Sequence, residues 1–200
     1  MSTLSSKPWD ARLAAALVRP LCRTSVSPNV LTTVRLLVGL YGALLFAGGE
    51  SPNAAALVIV LSNFLDHTDG ELARMSGRSS RFGHNYDLAS DALVTVGLFF
   101  CIGWGLRESL GQAAALMGLA AGLAVAGIFH LRNLIENAHG KQATAQPRFA
   151  GFEAEDVLYL LPLVTVLDGL PAFLRAASVG APLAFLIVLA QYLLLRARRT

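Results

Sequence analysis

Six stretches of the chain run apolar for about 20 residues, the length a helix needs to cross a bilayer. They start near Pro28, Asn53, Phe82, Gly111, Ala154 and Ala172. The fifth is the weakest, because its clean core from Val157 to Val166 is short and Asp168 follows it. Ahead of them, Trp9, Leu13, Leu17 and Leu21 recur every four residues, opposite Arg12, Arg19 and Arg23. That pattern fits a helix lying in the membrane interface and kinked by Pro20, against the rival of a disordered basic tail. Short loops marked by glycine or proline, at Gly48 to Pro52, Gly105 to Gly111 and Asp168 to Pro171, join the spans. The expected fold is therefore all-α and integral to the membrane, with six transmembrane helices and an N-terminal interfacial amphipathic helix. One domain covers residues 1–200, with the interfacial helix in 1–27 and the bundle in 28–200.

Composition agrees, at 54% hydrophobic and only 14% charged residues, which excludes an ordinary soluble domain. The net charge of +3 matters less than its placement. Lys7, Arg12, Arg19, Arg23, Arg74, Arg78, Arg81, Arg132, Lys141, Arg148, Arg196, Arg198 and Arg199 fall at the termini or in alternate loops, whereas the opposite loops hold Arg107 and Arg175. The positive-inside rule then puts both termini on the cytoplasmic side of the cell (inner) membrane. Arg12 and Arg19 interrupt the first 27 residues, so no cleaved signal peptide is expected. Cys22 and Cys101 form no CxxC and imply neither a disulfide nor a thiolate metal site.

Between spans two and three, four aspartates sit where lipid-facing chemistry disfavours them. On a helix, Asp66, Asp69, Gly70 and Ala73 share one face, and so do Gly83, Asp87 and Asp91. Two carboxylate pairs on consecutive helices converge on one cavity, and each buried aspartate costs about 2.5 to 3.5 kcal/mol at a helix centre. A compensating positive charge is required. Oxygen donors without thiolates favour Mg²⁺ or Mn²⁺, and four carboxylates suffice for two ions, the arrangement used in phosphoryl transfer. Gly70, Ala73 and Gly83 leave room for a bulky ligand on the same face, and Arg74 offers a planar fork for phosphate oxygens.

The pattern Asp66-x-x-Asp69-Gly70-x-x-Ala73-Arg74, eight residues, then Gly83-x-x-x-Asp87-x-x-x-Asp91 resembles the signature of the CDP-alcohol phosphotransferase (phosphatidyltransferase) family. All eight fixed positions match with the family's gap, a coincidence on the order of one in 10¹⁰ at a given start. Pro28-Asn29-Val30-Leu31-Thr32-Thr33-Val34-Arg35 is similar to the PNxLTxxR opening of the same family. The resemblance covers most of the chain and thins after about Leu134.

It implies a membrane enzyme of phospholipid biosynthesis that moves a phosphatidyl group from CDP-diacylglycerol, or another CDP-alcohol, to an acceptor alcohol and releases CMP. Asp66, Asp69, Asp87 and Asp91 would ligate two Mg²⁺ or Mn²⁺ ions, and Asp91 would also be the catalytic base. Asp69, Gly70, Ala73, Arg74 and Gly83 would hold the CDP and its diphosphate, with Asn29 and Thr32 beside them. A homodimer is implied by the resemblance alone, and nucleic acid is not an expected partner. Two rivals stay open: a CDP-choline or CDP-ethanolamine:diacylglycerol phosphotransferase, and a divalent-cation transporter.

Outside the signature, Arg35 lies about two turns into span one, roughly 10 Å along its axis. It suits acceptor or phosphate binding, or a structural ion pair. Arg78 and Arg81 flank the turn and either steer anionic substrate or set topology. Arg132, Asn133 and Glu136, with Lys141, Arg148, Glu153, Glu155 and Asp156 beyond, line an acceptor pocket or form plain surface pairs such as Arg132 with Glu136. His67 and His84 are expected to face away from the aspartates.

Overall fold

A computed structural model describes residues 9–140 and 158–197, with side chains from residue 13 onward. The described residues are helical: α1 (Trp9–Val18), α2 (Pro28–Gly48), α3 (Pro52–Ser76), α4 (Arg81–Gly105), the single turn α5 (Arg107–Leu110), α6 (Ala113–His139), the short α7 (Leu161–Val166) and α8 (Leu170–Ala197). Their ends follow from local chemistry. The Ser27 hydroxyl accepts from the Asn29 amide ahead of Pro28, and the Ser80 hydroxyl accepts from the Gly83 amide, so α2 and α4 both begin with a serine cap. Gly49 and Gly77, at φ of 73° and 67°, take the left-handed turn that ends α2 and α3.

α2 packs on both α3 and α4, α4 on α6, and α6 on α8, while α1 and α7 lie against α3. Ala43, Phe46, Ala55, Ile59, Leu98, Ile102, Ala114, Leu161 and Leu174 form the core. These residues come from the last turns of α2 and α4, the first turns of α3 and α6, and the starts of α7 and α8, so the core closes one end of the bundle. Asp66 lies eleven residues beyond Ala55 on α3, about 16 Å towards the other end. The apolar half fixes the helices, and the carboxylates occupy the half where they are free to diverge.

Among the described residues, four helices, α2, α4, α6 and α8, are long and apolar enough to cross a membrane. Their outer faces carry Leu37, Leu44, Leu116, Ile187 and Leu194, all more than half exposed, as suits a lipid solvent. Six spans were expected. α3 has the length, at 25 residues, but Ser62, Asn63, Asp66, His67, Thr68, Asp69 and Glu71 lower the apolarity of its second half. α7 covers six residues of the fifth candidate, and the part of that candidate before Leu158 lies outside the described residues. α7 is followed by a reversal at Asp168, whose φ of 52° is tolerated by aspartate.

α1 buries Ala14 and Val18 and leaves Leu13 and Leu17 about half exposed, at 47% and 54%. Its leucine stripe therefore faces outward; the side chains of Trp9 and Arg12 lie outside the described residues.

The small residues of α6 have a definite partner. A Cβ on Gly118 would stand 2.1 Å from the Phe99 carbonyl oxygen, and one on Gly122 would stand 2.9 Å from Val96 Cα. This GxxxG row seats α4 within the chain, with Ala121 buried beside it. Gly118→Val is expected to lower stability by about 1–3 kcal/mol, read as an earlier thermal unfolding midpoint in detergent. Ala120→Val, on the exposed side, should leave the midpoint unchanged.

Candidate active site

α2, α3 and α4 each bring part of the signature to one place because Gly39 lets them close up: a Cβ there would lie 2.7 Å from Ser62 Oγ and 2.8 Å from the Val94 methyls. Ser62 Oγ donates to the Arg35 carbonyl at 2.8 Å. This contact fixes the register of α2 against α3. Arg35 is thereby held level with the aspartates, as its position two turns into α2 suggested.

Asp66, Asp69 and Asp87 each offer a carboxylate oxygen within 4.8 Å of the other two. Asp91, one turn beyond Asp87, stands outside this trio. Asp69 is buried, whereas the side chains of Asp66, Asp87 and Asp91 are 28%, 35% and 38% exposed, so a ligand reaches them from open space. Asp66 Oδ1 and Asp69 Oδ2 are buried oxygens that accept no well-formed hydrogen bond among the described residues, although Arg35 Nε faces them at 2.9 and 3.8 Å. A hard divalent cation fits such a donor set: three convergent carboxylates, two with unsatisfied oxygens, and no sulfur.

The carboxylates form a wall between two cavities. On one side, a cavity of about 360 Å³ is lined by Asn29, Thr32, Asp69, Gly70, Ala73, Arg74, Arg78, Ser79, Ser80, Gly83, His84 and Asp87, with Pro28. All seven residues expected to hold a nucleotide are here. On the other side, a cavity of about 210 Å³ is lined by Asn63, Asp66, Leu88, Asp91, Thr95, Phe129, Arg132, Asn133, Glu136 and Leu158. Asp69 and Asp87 face the first, and Asp66 and Asp91 face the second.

Local contacts shape the larger cavity. Gly83 carries no Cβ because one would meet Asn29 Oδ1 at 3.0 Å and Ser80 Oγ at 3.1 Å; the glycine lets α2 approach α4. A Cβ on Gly70 would lie in ordinary contact with the Arg74 guanidinium, at 3.4 Å. Arg74 Nη2 donates to Glu71 Oε1 at 3.0 Å, and Glu71 is buried while the arginine remains 62% exposed. The buried acid aims the fork across the mouth. Arg78 Nη1 donates to the Val26 carbonyl at 3.1 Å, clasping the segment before α2 to the α3–α4 turn while also lining the cavity. Arg81 is exposed on the first turn of α4 and stands outside the lining.

Several residues depart from the sequence-based expectation. Arg35 lines neither cavity: its guanidinium lies inside the wall and reaches all four aspartates, at distances between 2.6 and 3.8 Å. Of its two expected roles, this geometry favours the ion pair. His84 was expected to point away, yet it lines the nucleotide-sized cavity with Asp87, three residues on and therefore beside it on the helix. Arg132, Asn133 and Glu136 do gather around Asp66 and Asp91; Lys141, Arg148, Glu153, Glu155 and Asp156 lie outside the described residues. Asn63, Thr95, Ser80 and Glu71 escaped notice. Extending the aspartate rows by three or four positions would have found the first two, since Asn63 precedes Asp66 by three and Thr95 follows Asp91 by four.

An apolar cavity of about 400 Å³ adjoins the smaller one and shares Thr95, Phe129, Arg132 and Leu158 with it. α4, α6 and α8 enclose it with Leu98, Val125, Phe173, Ala177, Ala181 and Ala184. A polar compartment thus opens directly into one suited to hydrocarbon.

Comparison with known proteins bears on this arrangement. A family model described as CDP-alcohol phosphatidyltransferase matches residues 25–197. A phosphatidylinositol phosphate synthase of Mycobacterium marinum is 34% identical over 114 residues, 54% of this chain and 48% of that one. A CMP-forming cardiolipin synthase of Streptomyces coelicolor is 33% identical over 156 residues, covering 74% and 68% of the two chains. The chain thus spans about half the length of the M. marinum relative. The crystal structure of the Mycobacterium tuberculosis phosphatidylinositol phosphate synthase with CDP-DAG bound superimposes with a TM-score of 0.63 at 22% identity, covering 91% of this chain and 90% of that one. The same enzyme in complex with manganese and citrate gives 0.60. At that identity the likeness speaks for the fold.

Proposed function

Since the chain belongs to the CDP-alcohol phosphatidyltransferase family, we propose that it transfers a phosphatidyl group from CDP-diacylglycerol to an acceptor alcohol and releases CMP. One observation carries this reading: a carboxylate wall separates a nucleotide-sized cavity from a polar one that opens into an apolar chamber. A phosphoryl transfer needs that arrangement, with leaving group and attacking group on opposite sides of the reacting phosphorus. A divalent-cation transporter needs no 360 Å³ slot lined by Gly70, Ala73 and Gly83 with an arginine across its mouth.

In this reading Asn29, Thr32 and Gly83 bound the cytidine, and Arg74, aimed by Glu71, meets the diphosphate oxygens. Asp66, Asp69 and Asp87, with Asp91 beside them, would hold Mg²⁺ or Mn²⁺, as two ions; the presence of manganese in the M. tuberculosis neighbour supports the choice. When bound, such ions neutralise charge developing on the attacking and leaving oxygens. Asp91, on the acceptor side and outside the trio, accepts the proton of the acceptor hydroxyl. The acceptor oxygen bonds to the phosphorus attached to the diacylglycerol, the bond from that phosphorus to the bridging oxygen breaks, and CMP leaves with that oxygen into the nucleotide cavity. Asn63, Asn133, Glu136 and Arg132 surround the acceptor. Arg81 stays a topology residue.

The membrane placement belongs to the same proposal. α3 spans with its polar half turned to the site, as one of six crossings. Arg74, Arg78 and Arg81 at the aspartate end, against Arg107 and Arg175 at the other, support a cytoplasmic site and cytoplasmic termini. The outward Leu13 and Leu17 of α1 support an interfacial helix. The chain acts as one domain and pairs as a homodimer, which crosslinking in native membranes measures.

The apolar chamber suits the donor's acyl chains. Ala181→Phe, which fills it, is expected to raise KM for a long-chain donor about tenfold while a short-chain donor keeps its KM. The reading itself is tested by supplying CDP-diacylglycerol labelled in the diacylglycerol moiety with a panel of acceptors: glycerol phosphate, inositol phosphate, serine, choline and phosphatidylglycerol. CMP release with label retained in a new phosphodiester supports it. Metal flux in proteoliposomes without CMP release would return the protein to the transporters.

A further inference from the structure

Arg35 Nε lies 2.9 Å from Asp66 Oδ1 and 3.8 Å from Asp69 Oδ2, Nη2 lies 3.0 Å from Asp87 Oδ1, and Nη1 lies 2.6 Å from Asp91 Oδ1. Its side chain is 3% exposed. A structural arginine pair is typically bidentate, two nitrogens on one carboxylate. This fork is instead spread over four residues from two helices, and among the carboxylates it approaches are the three suited to a divalent ion.

We propose that Arg35 is the resident counter-cation of the carboxylate cage: it holds the four acids together in the metal-free protein and gives up part of those contacts when a divalent ion enters. The proposal rests on the metal reading of the preceding subsection and adds a competitor to it. Four carboxylates and one guanidinium leave three negative charges, enough to attract a divalent ion without letting the helices repel each other apart. The guanidinium cannot lose its proton, so it cannot escape by neutralising; it has to shift or share. Its backbone is not free to move, because the Arg35 carbonyl is tied to Ser62 Oγ at 2.8 Å and α2 is pinned at Gly39. The side chain is therefore the adjustable part, and metal affinity and metal-free stability are linked in opposite directions through it.

The sign separates this role from a plain scaffold. Removing a positive charge beside a cation site strengthens attraction for the cation, whereas removing a scaffold that positions ligands weakens it. The full-length protein in lipid nanodiscs, stripped with chelator, is titrated with Mn²⁺ by electron paramagnetic resonance and melted with and without Mn²⁺, as wild type, Arg35→Met and Arg35→Lys. Arg35→Met is expected to bind Mn²⁺ at least about tenfold more tightly, to melt earlier than wild type without metal, and to gain more from Mn²⁺. Arg35→Lys, which keeps the charge and loses the fork, falls between them. Should Arg35→Met fail to fold without metal, recovery of folded protein when Mn²⁺ is supplied throughout supports the assignment, and failure in both conditions overturns it. Weaker Mn²⁺ binding by Arg35→Met than by wild type overturns it while leaving the metal site standing. A wild type that takes up no Mn²⁺ removes the metal reading as well.

Discussion

Asp69→Asn is expected to lower CMP release by about 10²- to 10³-fold without unfolding the protein. Asp69 belongs to both halves of the argument, since it sits in the metal-competent trio and lines the nucleotide cavity. Its Oδ2 accepts no well-formed hydrogen bond among the described residues, so a neutral amide sacrifices none there. The amide removes one anionic ligand and relieves repulsion with Asp66 and Asp87. The metal-free variant should therefore melt at or above the wild-type temperature while binding Mn²⁺ more weakly. Loss of turnover together with an early melt would mean that Asp69 is structural. Retained turnover would remove it from the site.

Asp91→Asn is expected to act on a different quantity. Asp91 stands outside the trio, pairs with Arg35 Nη1 at 2.6 Å and lines the acceptor-side cavity. Loss of a general base costs about 10²- to 10⁴-fold in rate. The fall should appear in kcat, with KM for the donor close to wild type and a loss of Mn²⁺ affinity smaller than that of Asp69→Asn. An equal collapse of Mn²⁺ affinity would instead make Asp91 a metal ligand before anything else, the role the signature alone assigned it alongside catalysis.

The two predictions differ because the structure separates residues that the sequence treats alike. On the spacing of Asp66, Asp69, Asp87 and Asp91, each pair of carboxylates shares a face of its own helix, which is local helical geometry and legible from a single chain. The nucleotide cavity was legible for the same reason: Gly70, Ala73, Arg74 and Gly83 lie on the rows of the aspartates, and Asn29 and Thr32 belong to a second motif. The acceptor-side cavity was barely legible. It joins positions 63 and 66 of α3, 91 of α4, 132 of α6 and 158, and no sequence period connects these separate segments; only their packing brings them together. Arg35 shows the same limit. Its depth in the membrane followed from its place on α2, but its four partners depend on how closely Gly39 lets three helices converge.

The span count is less directly legible, for a related reason. Apolar runs locate helices by composition, and α3 turns its polar second half towards the site. By composition it falls below the apolarity of α2, α4, α6 and α8, although its 25 residues extend roughly 37 Å. The small residues of α6 were equally ambiguous in sequence. Ala121 and Gly122 permit close approach without naming a neighbour, and the neighbour is α4 of the same chain.

The central claim is that a phosphorus–oxygen bond of a CDP-linked lipid is broken at this carboxylate wall. It is tested most directly by following ³²P placed at the phosphorus nearest the diacylglycerol, in reconstituted protein with acceptor, with Mg²⁺ and with chelator. The account predicts label in the lipid product and none in the released CMP, and no transfer once the metal is chelated. Label leaving with the nucleotide, or the same transfer in chelator, would contradict it.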